Sequence, residues 1–595
     1  MDNILTNSDK IRLIAIGSKI APGIIGIEDR INEVLYGFSS PVRAAWLFYL
    51  RHMSDKVLKM SDKDLKREAY KSPFKEFLLP IRYAAFSNML EAHEPPTQIK
   101  QERWQQQIFE ASFISNDQEC DFVVVGSGAG GASVAYRLAS LGHAVMIIEE
   151  GNHYDRRQIT GNPADAFRKL YRNSGFTFAW GKNPFPVWAG KAVGGTTIIN
   201  SGTCVRCPEY IFDEWTNKYG LKNFQANYVS QYYDETESIL SVNKVEDKYI
   251  GGVGNLIKGA AQLLNWKHGP IPRNSQGCDG QARCCFGCPT GAKTSTDISF
   301  IPKALNDGAQ IIVNGKVISI DMQNNKAAGV FVQTSNGIFK VNAARGVVVS
   351  GGALMSPQLL VNSNIKNKNI GINLSVHPAL AVFALHSVPV NMTQCSVPQS
   401  YHVSEFLPDF MLEGASMVQP VAAMALKSIG KEFSELMQNY DKLSMFGALI
   451  RDSSRGRVLK DGHVLYSCNR DDMNKIRRSI QKLVQLLEHT NNVKEIYPFV
   501  NGVHKIGRNH CHIKYKRING LAQGDITISA YHPLGTCRMG TSADNSVVDD
   551  EFRVWGTKNL YVVDGSVFPS STGFNPQLTI MSMGLMAADM IDASL

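Results

Sequence analysis

Apolar residues follow three rhythms along this chain, and each predicts a different kind of element. Over residues 1–115, Ile31, Val34, Leu35, Val42, Ala45, Leu47 and Leu50 recur at near-helical spacing, and Met53, Val57, Leu58, Leu65, Phe74, Phe77 and Leu78 continue the series. Ser61-Asp-Lys-Asp64 resembles a helix start, and Pro95-Pro96 breaks the pattern as a linker would. This segment reads as a helical cap or arm packed on the main body, with no chemistry of its own. From residue 116 the rhythm becomes short continuous apolar runs, which suit strands buried on both faces. Residues 122–125, 144–148, 311–313, 317–320, 329–332 and 346–350 are of this kind, with helical stretches at 133–141 and from Ser356. Between 378 and 526, apolar runs such as 380–385 alternate with loops and one clear helix over 472–488, as in an antiparallel sheet with helices. Residues 527–595 hold a strand ending at Asp564-Gly565 and a helix over 578–591, which can return the chain to the first sheet. The pattern predicts an α/β body over 116–377 and 527–595, an α+β domain over 378–526, and a helical N-terminal extension.

The turns between these elements carry the first chemistry. Gly126, Gly128 and Gly131 form G-x-G-x-x-G between a buried strand and a helix. The first glycine allows the tight turn, the second lets the backbone approach a pyrophosphate, and the third lets helix pack on strand. Glu149 ends the next strand, where a carboxylate can accept from a ribose hydroxyl. This unit binds a dinucleotide but does not distinguish FAD from NAD. In WAGKAVGGTTIINSG, residues 188–202, Gly190, Gly194 and Gly195 loosen the backbone while Thr196, Thr197 and Asn200 supply short polar groups, suiting a loop laid against a flat polar ligand. Gly351-Gly-Ala353 delivers a second glycine turn to a helix start. Phe406, Phe410, Met411, Met417 and Met424 fit an apolar pocket and a plain core equally well.

Composition narrows the field. A chain of 595 residues is too long for one core. A formal charge of +9 with no long basic run argues against nucleic acid and leaves an anionic or membrane surface open. Residues 11–27 are fairly apolar, but Arg12 and Lys19 interrupt them and no cleavage pattern follows, so no secretory signal is expected. No uninterrupted apolar run reaches the length of about 18 residues that a membrane span needs. The expected location is cytoplasmic or peripheral to a membrane, the latter through Trp46, Phe48 and Tyr49 beside Arg43 and Arg51. Four of the eleven cysteines lie within 278–288, a density that suits a metal or cluster site better than a disulfide framework, in a reducing compartment.

Taken together, VVVGSGAGGASVAYRLA, GKAVGGTTIINSG, VVVSGGALMSPQLL, YHPLGTCRMG and VVDGSVFPSSTGFNPQLTIM resemble, in order, the motifs of the glucose-methanol-choline (GMC) oxidoreductase family. The resemblance covers about residues 118–595 and implies a Rossmann-like FAD-binding domain, a separate substrate domain, and oxidation of an alcohol with hydride passing to the flavin. It implies that Gly126, Gly128 and Gly131 contact the pyrophosphate and Glu149 the adenosine ribose. Gly195, Thr196 and Asn200 would lie beside the isoalloxazine, Val317 would touch the adenine through its backbone, and Asp564 and Gly565 would meet the phosphate and ribitol. His532 matches the catalytic histidine and Asn575 the second catalytic position. Some members attach FAD through a histidine in the GGTT segment; GGTTIIN has none, so non-covalent FAD is expected. Some dehydrogenases of the family carry a 3Fe-4S cluster on C-x₅-C-x₃-C, which Cys278, Cys284 and Cys288 reproduce, leaving Cys285 spare. Long-chain alcohol oxidases have a similar segment, so buried free thiols, a disulfide or zinc stand as alternatives; Cys204 and Cys207 read as packing residues. FMLEGASM, residues 410–417, resembles the long-chain alcohol oxidase branch and favours a fatty or sterol-like alcohol; a sugar or polyol dehydrogenase is the runner-up. The acceptor is left open among oxygen, a quinone and a redox protein. His532 together with Asn575 favours alcohol oxidation over a lyase or a light-driven decarboxylase on the same scaffold, and an inactive FAD-binding interaction protein using the helical arm is a third reading.

Overall fold

Five helices begin the chain: Asn7–Ile20, Ile27–Tyr36, Ser40–Lys59, Asp62–Glu68 and Phe74–Phe86. The computed structural model describes residues 4–595 apart from 37, 39, 69–73, 88–101, 499, 502–503 and 508–516, so the Pro95-Pro96 break lies outside the described residues. The first helix opens on a capping box in which Thr6 and Asp9 satisfy each other's backbone N–H. Asp9 is fully buried and takes a forked pair of bonds from Arg51 of the third helix, at 2.8 and 2.7 Å. That guanidinium holds the Asp9 carboxyl down to about 2 against the cost of burial. Asp64 N donates to Ser61 Oγ, the helix start that the sequence suggests.

These helices do not stand apart from the body. Gly430 N donates to Ile20 O at 2.7 Å, and Ser434 Oγ to Pro22 O at 2.9 Å. Of the three aromatics on which the alternative of a membrane contact rests, Trp46 is buried and donates to Phe77 O, Tyr49 packs partly against the core, and Phe48 is exposed. Among the described residues no helix is long and apolar enough to cross a membrane.

The Rossmann-like sheet runs Ile108–Glu110, Gln310–Val313, Val145–Ile148, Gln118–Val125, Ile338–Val349, with Leu560–Val562 added beside the last, all parallel. Lys326–Gln333 and Lys316–Gln323 extend it as an antiparallel hairpin. Phe122, Val123, Val124, Ile147, Val347 and Val348 are buried to 0 % exposure, as expected of strands covered on both faces. The helix after the glycine turn runs Ala129–Ser140, so the glycines open it instead of preceding it. The C-terminal helix, Gln577–Ala593, packs across Ala129–Ser140 and is apolar on nearly every face because it is buried on nearly every face.

The second sheet is antiparallel and has seven strands: Ile506–Gly507, Val493–Tyr497, Ala379–His386, Leu443–Ile450, Phe410–Gly414, Tyr401–Val403 and His268–Pro270. Its last strand comes from far earlier in the chain than the rest. Helix Arg470–Glu488 covers one face, with Met473, Ile476, Ile480, Leu483 and Leu487 buried. The other face opens on a cavity that reaches the edge of the first sheet.

Candidate active site

Strand Gln118–Val125 ends in Gly126, at φ +101, and helix Ala129–Ser140 starts without a side-chain cap. Its first N–H groups therefore face the cavity, the arrangement that binds phosphate. A Cβ at Gly131 would sit 2.0 Å from Gly126 O, so this position admits hydrogen alone. Across the slot, a Cβ at Gly195 would come within 2.8 Å of Gly128 Cα. Two backbones thus approach closely and leave a channel between glycines.

Glu149 accepts from Ser127 N (3.0 Å), Ser127 Oγ (2.6 Å) and Gly151 N (2.8 Å). Burial pushes its carboxyl up, and these hydrogen bonds oppose the shift. Ser127 Oγ in turn accepts from Gly194 N at 3.1 Å, which ties the glycine turn to the GGTT loop. Asp564 accepts from Gly352 N, Ser356 Oγ and Ser566 N at 2.5–2.8 Å, joining the second glycine turn to the C-terminal return. Gly315 N donates to Glu149 O, which brings Val317 to the same end of the slot.

One cavity of about 700 Å³ gathers these groups. Gly126, Gly128, Glu149, Val317, Gly195, Thr196, Asn200, Asp564 and Gly565 all line it. Gly131 lies behind the turn. An uncapped helix N-terminus, a glycine-walled slot and a carboxylate at the strand end fit a dinucleotide.

His532 and Asn575 line the same cavity, with His532 Nε2 and Asn575 Nδ2 3.3 Å apart. Asn575 Oδ1 and His532 Nδ1 are buried and have no protein partner, so both remain available to a ligand. Burial, reinforced by neighbouring His377, holds the His532 imidazole well below the ordinary histidine range, so it is neutral and can take a proton.

His377 is part of the frame. It is fully buried, and its Nε2 accepts from the backbone N–H of Thr572 and Gly573, both at 3.1 Å, just ahead of Asn575. Asp452 accepts from Val376 N, His377 N, Tyr466 Oη and Ser571 Oγ, so one carboxylate steadies both strands of the loop. Burial lowers His377 from 6.5 to about 3. Its neutral form is therefore favoured in the fold, and the stability it contributes is full above 6.5 and lost as pH falls toward 3. We expect the gap in unfolding free energy between the native protein and His377→Gln to shrink by about 1.4 kcal/mol per pH unit in that window. Thermal melts of both proteins across the window check this, and a constant gap would contradict it.

The cysteine segment corrects an expectation. Among the described residues no group of three or more His, Cys, Asp or Glu side chains is placed to hold a metal ion, and Cys278, Cys284 and Cys288 do not converge as a ligand set. The thiols are engaged separately: Arg273 Nη2 donates to Cys284 Sγ and Lys293 N to Cys288 Sγ, both at 3.2 Å. Burial pushes the Cys284 thiol up to about 12, with the Arg273 charge opposing. The segment instead delivers Lys293, fully buried, whose Nζ lies 2.9 Å from Thr197 O, Ile198 O, Asn200 O and Cys284 O, which share its three N–H groups. That ammonium pins the GGTT loop from behind. Lys293→Met strands four carbonyls at a cost of about 1–3 kcal/mol for each group left unsatisfied, so we expect a sharply lower melting temperature and loss of bound flavin. Wild-type melting and flavin content in this variant would remove the role.

Beyond His532 the cavity is mostly apolar, with Gln399, Glu413 and Lys427 among the polar groups on its wall. Met417 and Met424 line it, whereas Phe410 and Met411 belong to the packed interior. Val34, Leu79, Pro80 and Tyr83 of the N-terminal helices, and Phe38 between two of them, also line it. Helical periodicity alone could not reveal this, because it is the same for a core and for a cavity wall. Ser127, Lys293, Asp452, Gln399 and Glu413 also escape sequence reasoning. A polar residue inside an apolar run is the one available signal, and only Glu413 shows it.

Comparison with known proteins agrees with this geometry. Residues 167–379 and 452–584 match the two GMC oxidoreductase family models, and 124–156 match an NAD(P)-binding Rossmann-like domain. A GMC-type oxidoreductase of Sinorhizobium fredii is 30 % identical over 480 residues, 79 % of this chain and 94 % of its own. A long-chain-alcohol oxidase of Arabidopsis thaliana is 28 % identical over 80 % of this chain and 68 % of its own. Among solved structures, a formate oxidase of Aspergillus oryzae superimposes with a TM-score of 0.64 at 18 % identity, over 81 % of this chain and 99 % of that one. The chain belongs to the GMC oxidoreductase family and is a flavin oxidoreductase with a Rossmann-like FAD-binding domain.

Proposed function

We propose that this protein oxidises the CH–OH group of an apolar, long-chain or sterol-like alcohol. The observation that carries the reading is the His532–Asn575 pair, 3.3 Å apart, where a glycine-walled slot meets an apolar chamber. His532 takes the hydroxyl proton, since a neutral imidazole in a desolvated site is a competent base. Asn575 orients the alcohol oxygen through its amide and leaves the carbinol hydrogen facing the slot. FAD, held non-covalently, supplies the hydride acceptor when bound. Gly126, Gly128 and the helix N-terminus hold its pyrophosphate, Glu149 its ribose, Val317 its adenine edge, and Asp564 with Gly565 the ribitol side. Gly195, Thr196 and Asn200 face the ring.

The apolar walls exclude water from the reacting carbon and favour an alkyl or sterol body over a sugar, which needs many hydrogen-bonding partners. The long-chain-alcohol oxidase among the relatives supports the same substrate class, and relatives named as oxidases favour oxygen as the acceptor.

Acid precipitation of the yellow protein is expected to release all of its flavin to the supernatant. Primary alcohols of increasing chain length are expected to give rising kcat/KM and the matching aldehyde. Flavin that stays with the precipitate overturns the non-covalent assignment. A preference for short or polyhydroxylated alcohols overturns the substrate class.

A further inference from the structure

On its two central strands the cavity face of the antiparallel sheet is apolar, and Glu413 interrupts it from the neighbouring strand. Alternation along its strands turns Ala379, Ala381, Phe383, Met445, Leu449 and Ala415 toward the substrate space. Glu413 stands among them, paired across the sheet with Gly447, which in turn pairs with Ala381. A carboxyl on this face has small neighbours on one side and an apolar chamber in front.

Its two oxygens have different fates. Oε1 accepts from Gln399 Nε2. The Gln399 amide is fixed in that sense, because its Oε1 accepts from Ser201 Oγ and Thr203 Oγ1. Ser201 directly follows Asn200, so the chain of bonds runs from the flavin loop to the sheet. Oε2 is buried and has no hydrogen-bond partner in the protein. A buried carboxyl oxygen without a partner is costly and persists where a ligand completes it.

We propose that Glu413 is a specificity-determining residue of the substrate cavity, and that its Oε2 hydrogen-bonds a second hydroxyl carried on the apolar body of the substrate. Burial pushes the Glu413 carboxyl up to about 7, with the Gln399 bond opposing, so acid and carboxylate forms coexist near neutrality. A hydroxyl pairs with both forms, as donor to one and acceptor from the other. A cation would need the carboxylate and an anion the acid. The ionisable groups facing Glu413 are Tyr531 beside the catalytic histidine and His402, its cross-strand partner, and burial holds His402 in the neutral form. No fixed charge therefore settles the carboxyl in one state.

This inference rests on the alcohol-oxidation reading and is tested with holoenzyme and matched probes. The probes are primary alcohols of one long chain length, plain or with a second hydroxyl at successive carbons. The native enzyme is expected to favour one diol isomer over the plain alcohol by about tenfold in kcat/KM, mostly through KM. Glu413→Gln, which keeps a hydrogen-bonding end, is expected to retain most of that preference. Glu413→Leu is expected to erase it and to improve the plain alcohol. Equal preference in the native enzyme and Glu413→Leu overturns the proposal. So does an equal loss of both substrate types in Glu413→Leu, which would assign the residue to the Gln399 framework alone. An enzyme whose flavin no alcohol reduces overturns the broader reading as well; one that oxidises plain alcohols without discriminating diols overturns this proposal only.

Discussion

His532→Ala is expected to purify yellow and to slow anaerobic flavin reduction by its alcohol about 10²–10⁴-fold. Retained colour follows from the geometry, because the cofactor slot is built from backbone and from Glu149 and Asp564, with no contribution from the imidazole that holds the protein together. The rate loss follows from chemistry. Hydride leaves the carbinol carbon readily only as the hydroxyl proton departs, and His532 is the group assigned to take it. A hundredfold loss corresponds to about 2.7 kcal/mol of transition-state stabilisation, which one positioned base accounts for. Asn575→Ala is expected to lose less, since it orients the oxygen and accepts no proton. Unchanged single-turnover rates in His532→Ala would remove the base assignment, whatever the steady-state rate.

Gly128→Ala is expected to fold normally and to come out colourless. The nearest protein atom to a Cβ at Gly128 is Gly195 Cα at 3.9 Å, an ordinary contact, so the chain itself tolerates the methyl group. The methyl would instead occupy the slot into which the uncapped helix N-terminus points. Gly131→Ala differs in kind. Its Cβ would fall 2.0 Å from Gly126 O and 3.1 Å from Ser350 Cβ, inside backbone that cannot yield, so loss of soluble folded protein is expected. Flavin-to-protein ratio and melting temperature separate the two effects. Full flavin content in Gly128→Ala would place the pyrophosphate elsewhere.

The parts of this fold written in local sequence could be read before the structure. Phe122 to Val125, the glycine turn and the helix behind it follow from short-range rules of burial and backbone freedom. The same holds for Glu149 at the strand end. Long-range pairing was not legible. His268–Pro270 joins Tyr401–Val403 across a wide sequence gap, and no periodicity announces a partner. The N-terminal helices were read correctly as helices, but their role as a cavity wall depends on docking against residues near Ser434. The cysteine spacing could not decide between a cluster and buried free thiols, because spacing along a chain does not set the directions of the sulfurs. With Arg273 and Lys293 donating to Cys284 and Cys288, these thiols are acceptor groups. Residue type also could not separate Met417 and Met424, in the chamber, from Phe410 and Met411, in the core.

The most direct measurement is a single-turnover experiment without oxygen, in which the yellow protein is mixed with a long-chain primary alcohol and with the same alcohol deuterated at the carbinol carbon. The account predicts that both bleach the flavin, that the deuterated alcohol does so several times more slowly, and that one aldehyde forms per flavin reduced. Flavin that stays yellow with every alcohol offered, or that bleaches without producing a carbonyl compound, would contradict it.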